Sequence, residues 1–127
     1  MKTILVTFTL LLTLNFAFAQ DANDPKAFRT GTFVYKGIED KAKVIRTKKT
    51  QTEVFNDGKS KLIMKIKWVD KTSYVLTLKK AINAPGCLKI GDTITATLVK
   101  QEGKTFYCKS KSENCGKADV VMIKVEE

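Results

Sequence analysis

The sequence predicts an all-β domain, a single antiparallel meander of about eight short strands closing into a small barrel, with a two-sheet sandwich as the alternative. Three observations carry this. Runs rich in Val, Ile, Thr, Phe and Tyr recur along the chain, separated by Gly, Asn, Asp and Lys clusters. Two neighbouring pairs of runs can be set in register so that apolar side chains share one face. No amphipathic helix of useful length competes with them.

The chain begins with Met1 and Lys2, an apolar run over residues 4–14, and Ala17-Phe18-Ala19 before Gln20. That is the pattern of a signal peptide, residues 1–19, cleaved at a small-x-small site. The apolar run is shorter than the roughly 20 residues of a membrane span, and no cysteine follows for acylation. The expectation is an exported, periplasmic or secreted chain, with a retained N-terminal anchor as the alternative. Residues 20–27 are polar with Pro25 and read as a flexible lead-in. Residues 28–127 make one domain, small enough that a crosslink would matter.

The eight runs are residues 32–36, 41–47, 51–55, 61–69, 73–79, 93–100, 105–110 and 119–125. In the fourth and fifth, a loop at Asp70-Lys71-Thr72 sets Trp68 against Tyr74, Ile66 against Leu76 and Met64 against Leu78. Lys65, Lys67 and Lys79 then face water as a candidate anionic-surface patch. In the sixth and seventh, a loop Gln101-Glu102-Gly103 pairs Leu98 with Phe106 and Ala96 with Cys108, keeping the apolar side chains together. A two-residue loop would split those faces.

In the second and third runs, a turn at Lys48-Lys49 pairs Arg46 with Gln51 and Val44 with Glu53. Either face could point inward. Turned inward, Arg46, Gln51 and Glu53 form a candidate head-group site for a small molecule, with Trp68 and Tyr74 as further ligand-binding candidates. Turned outward, they are a solvent-side ion pair of small energetic weight.

Cysteines stand at 87, 108 and 115. Export permits a disulfide. Cys87 beside Pro85-Gly86 and Cys115 beside Gly116 fall in loops that the strand order brings to one end, which predicts a Cys87–Cys115 bridge and a buried Cys108 thiol. The rivals are a Cys108–Cys115 link and three free thiols. The spacing is not that of a structural zinc site, so neither metal nor cofactor is expected.

There is no histidine, which removes His-based triads, His metal sites and the commonest general acid or base. No phosphate-cradling glycine loop or carboxylate pair is evident. All but one of the 23 basic residues lie after the leader, against 13 acidic ones. Most are lysines spread along the chain, which reads as a solvated surface or as an anionic-polymer contact. Nucleic acid is disfavoured, because arginine occurs only at Arg29 and Arg46.

The runs Gly31-Thr32-Phe33-Val34-Tyr35, Val44-Ile45-Arg46-Thr47, Gln51-Thr52-Glu53, Lys67-Trp68 and Tyr74-Val75-Leu76 resemble those of a group of short, uncharacterised exported proteins of Bacteroidota. The resemblance covers about residues 28–78 and implies a small β-domain with no assigned activity. Members of that group often carry cysteines where Pro25 and Thr72 stand here, which leaves this chain's own cysteines outside the group's pattern. The Gly-x-Phe at Gly31 also looks like the Gly-x-Trp that opens lipocalins, a likeness two residues long.

The leading expectation is a non-catalytic exported binding or structural domain, holding a small apolar ligand in a barrel interior. The alternatives are a basic protein docking on an anionic surface polymer or exported partner, and an enzyme of unrecognised type.

Overall fold

The structure, a computed structural model, describes residues 24–127; the expected signal peptide and residues 20–23 lie outside the described residues. Eight antiparallel strands follow one another: β1 (Gly31–Tyr35), β2 (Ala42–Arg46), β3 (Thr50–Phe55), β4 (Ser60–Trp68), β5 (Ser73–Ile82), β6 (Thr93–Glu102), β7 (Thr105–Ser112) and β8 (Gly116–Glu126). Each pairs with the next, and β1 also pairs with β8, so the sheet closes into a barrel and the sandwich is excluded.

Alternation of apolar and polar side chains builds the interior. Phe33, Val44, Met64, Leu78 and Phe106 are almost completely buried. The fourth hairpin has the expected register, Trp68 against Tyr74, Ile66 against Leu76 and Met64 against Leu78. A bulge beyond Leu78 leaves Lys79 unpaired and lets β5 run on to Ile82. The turn at Lys48-Lys49 also forms, setting Arg46 opposite Gln51 and Val44 opposite Glu53.

The β6–β7 register differs from expectation. Gly103 and Lys104 make a two-residue turn, with Gly103 at φ 59°, and Gln101 pairs with Phe106. Leu98 therefore opposes Cys108 and Ala96 opposes Ser110, not Phe106 and Cys108. The short turn does not split the faces, because a bulge at Val99 inserts one residue into β6 and restores the parity. Val99 itself turns out to solvent, 54% exposed.

Part of the expected flexible lead-in is ordered. Pro25–Phe28 form a single 3-10 turn in which Asp24 Oδ1 accepts from the Lys26 amide at 3.0 Å and Pro25 supplies the helical φ. The turn plugs one end of the barrel: Phe28 is fully buried, stacked on Phe106 at 4.6 Å and edge-on to Phe33 at 5.5 Å. Lys124 Nζ donates to the Ala27 carbonyl at 2.9 Å and pairs with Glu127 at 3.0 Å, latching the plug to β8. Gly31 is required at this crossing, since a Cβ there would lie 2.6 Å from the Glu126 carbonyl oxygen.

The other end is formed by the connections β1–β2, β3–β4, β5–β6 and β7–β8. There Cys87 and Cys115 are bridged, Cα atoms 5.3 Å apart, tying the long β5–β6 connection to the β7–β8 turn, while Cys108 is a free thiol buried in the barrel.

Candidate functional site

The open question of which face of β2 and β3 points inward is answered by burial: Val44, Arg46 and Gln51 are buried, whereas Lys43 and Ile45 are exposed. The Arg46, Gln51 and Glu53 trio is therefore on the inner face, and the solvent-side ion pair is not formed. The two-residue turn places Gln51 directly across from Arg46, and Arg46 Nε donates to Gln51 Oε1 at 2.7 Å. Nη1 donates to the Phe28 carbonyl at 2.8 Å. The guanidinium carbon lies 4.3 Å from the Phe28 ring centre and 4.5 Å from that of Tyr74. Arg46 is only 3% exposed, yet its Nη2 is buried without a hydrogen-bond partner among the described residues.

Glu53, two residues beyond Gln51 on the same face, accepts a hydrogen bond from the Tyr35 hydroxyl. Burial raises the Glu53 pKa above its ordinary value, and the Tyr35 hydrogen bond and the Arg46 charge offset this only in part. Tyr35 is pushed well above the usual phenol range by burial and then by the neighbouring Glu53 charge. Tyr74 is raised by burial against the pull of Arg46. Burial pushes the Cys108 thiol up to about 11, with Arg46 and Tyr74 acting in the opposite sense. A thiol held protonated in this way is a poor nucleophile.

These groups surround a cavity of about 90 Å³ inside the barrel. Its polar wall is Tyr35, Arg46, Gln51, Glu53, Tyr74, Cys108 and Ser110, and its apolar wall is made by Leu76, Ile94, Ala96, Val120 and Met122. Tyr35 and Glu53 also line a larger recess of about 640 Å³ at the mouth, together with Ile38, Ala42, Phe55, Asp40 and Asp57. The Tyr35–Glu53 pair thus borders both spaces.

Of the residues the sequence singles out, Arg46, Gln51, Glu53 and Tyr74 converge on the cavity. Trp68 does not. It stands at the plugged end, half-buried, 4.8 Å from Tyr74 centre to centre, with the Arg29 guanidinium carbon 4.8 Å from its ring centre. Lys65, Lys67 and Lys79 are exposed on the outer surface, the first two on β4 and the third at the β5 bulge. The sequence does not single out Tyr35, although it shares the parity of Phe33 on β1, and it points to Cys108 only as core. Lys124, buried at 6% exposure, gives no signal in the sequence because the carbonyl it donates to, that of Ala27, lies 97 residues away.

Among the described residues no group of His, Cys, Asp and Glu side chains is arranged to hold a metal ion, and no helix is long and apolar enough to cross a membrane. The chain matches no protein-family model, and no curated protein or solved structure matches it.

Proposed function

We propose that this chain is an exported, non-catalytic binding domain that holds a small molecule inside its barrel, with the ligand's polar head group on Arg46. The observation that carries the reading is Arg46 Nη2, a buried charged donor without a partner among the described residues, on a residue that lines the cavity. A buried donor left unmet costs free energy, and a ligand acceptor would recover it. The plugged floor, the apolar wall opposite Arg46 and the wider recess at the mouth support the same reading, with the head group innermost and any further part of the molecule toward the recess. The Cys87–Cys115 disulfide is compatible with an oxidising compartment, and the leader pattern of residues 1–19 supports export.

The test is native mass spectrometry of the protein purified from its own host, alongside the Arg46→Met variant. The expected result is a co-purifying small-molecule mass with the unsubstituted chain that is absent from the variant. A chain that carries no additional mass under gentle desolvation, and whose melting temperature is unmoved by a host metabolite extract, overturns the reading.

A further inference from the structure

Arg46 and Glu53 bring a guanidinium and a carboxyl group to one small chamber. Their strands pair with Val44 opposite Glu53 and Arg46 opposite Gln51, so the two are diagonal neighbours, with Cα atoms about 7–8 Å apart and long side chains. Arg46 has committed Nε to Gln51 and Nη1 to the plug, and Nη2 has no hydrogen-bond partner among the described residues. The Glu53 carboxyl has one hydrogen-bond partner among the described residues, the Tyr35 hydroxyl at Oε1. The chamber therefore offers a planar cationic donor that suits a carboxylate and, beside it, an acceptor that suits a donor group.

A carboxylate alone would meet Arg46 and leave the Glu53 acceptor unused. An amine alone would meet Glu53 and leave Nη2 unmet. A molecule carrying both groups on neighbouring atoms meets both. Size limits it further: an apolar cavity of roughly 150 Å³ accepts benzene, and this chamber is about 90 Å³, so the part inside has only a few heavy atoms. Leu76, Ile94 and Val120 leave a side for a short alkyl group.

We propose that the chamber binds a short carboxylic acid bearing an amino or hydroxyl group on the carbon next to the carboxyl, with the carboxylate on Arg46 Nη2 and the amino or hydroxyl group donating to Glu53. This rests on the binding reading of the same cavity.

The experiment is calorimetric titration of the ligand-stripped, disulfide-intact protein with four probes of similar size: alanine, lactate, propionate and ethylamine. Alanine or lactate is expected to bind about tenfold or more tighter than propionate and ethylamine. Glu53→Leu should shrink that gap, and Arg46→Met should abolish binding of both acids, in variants whose circular dichroism matches the parent. Should Glu53→Leu fail to fold, Glu53→Gln serves, with loss of the preference for alanine over propionate as its readout. Propionate binding as tightly as alanine and lactate overturns the ligand class while leaving the binding reading intact. So does failure of all four probes when a mass co-purifies from the host. Failure of all four with no co-purifying mass overturns both, and unchanged alanine or lactate affinity in Arg46→Met overturns the assigned anchor.

Discussion

Arg46 donates from Nη1 to the Phe28 carbonyl oxygen at 2.8 Å while its guanidinium carbon rests 4.3 Å from the centre of the same residue's ring. One side chain thus holds the plug by its backbone and its aromatic face at once, and the same residue lines the cavity. The plug and the site share a residue, so disturbing one should be felt in the other.

Phe28→Ala should cost about 3–5 kcal/mol, because it empties a fully buried site stacked on Phe106 and supporting Arg46. Denaturant unfolding followed by far-ultraviolet circular dichroism measures it. A cost below about 1 kcal/mol would mean that the plug is not part of the core.

Glu53 titrates higher in the folded protein than in the unfolded chain, so the native state holds its proton more tightly. That contribution is fully present below the ordinary value of 4.5 and is lost as pH rises through the elevated native value. The melting temperature of the parent relative to Glu53→Gln should therefore be highest at acidic pH and decline toward neutrality. A difference independent of pH, or one that grows toward neutral pH, would contradict the burial of this carboxyl.

Reducing the Cys87–Cys115 bridge, which spans a sequence separation of 28, should lower stability by about 3–4 kcal/mol by the loop-closure argument. Cys108, buried and titrating at about 11, should resist iodoacetamide at pH 8 until the protein is unfolded. Peptide mapping with and without reductant checks both, and a disulfide peptide containing Cys108 would refute the assignment.

Trp68 is the only tryptophan, half-buried with Arg29 over its ring, so its emission should lie between that of a core and a solvated indole. Arg29→Ala should move the emission maximum and cost about 0.5–1 kcal/mol. Unchanged emission would show that the pair does not persist in solution.

The outward Lys65, Lys67 and Lys79 should give retention on a sulfated resin that weakens steeply as salt is raised. Replacing all three by alanine should advance elution while changing stability by no more than about 0.5 kcal/mol. Retention indifferent to salt, or to the triple substitution, would exclude this face as the contact.

The strands were legible because inward and outward residues differ in kind along β4 and β5: Met64, Ile66, Leu76 and Leu78 go in while Lys65 and Lys67 stay out. The β6–β7 pairing was not, since parity arguments assume an uninterrupted ladder and the bulge at Val99 adds a residue that is itself apolar. The site was half legible. The turn at Lys48-Lys49 set Arg46 opposite Gln51, but β2 carries an aliphatic residue and a cation on each face, Val44 with Arg46 and Ile45 with Lys43, so alternation alone could not choose the inner one. Phe28 precedes the first strand, and only the closed barrel shows that it has a socket.

Closure joins the first strand to the last, with Thr32 beside Glu126. Until β8 is in place, both β1 and β7 present unpaired edges, each a template for another chain. A nascent or truncated chain lacking the final strand should therefore be prone to aggregate, and folding should wait on a contact between opposite ends of the sequence, which slows it. The ring that leaves the finished barrel without a free edge makes every incomplete version of it sticky.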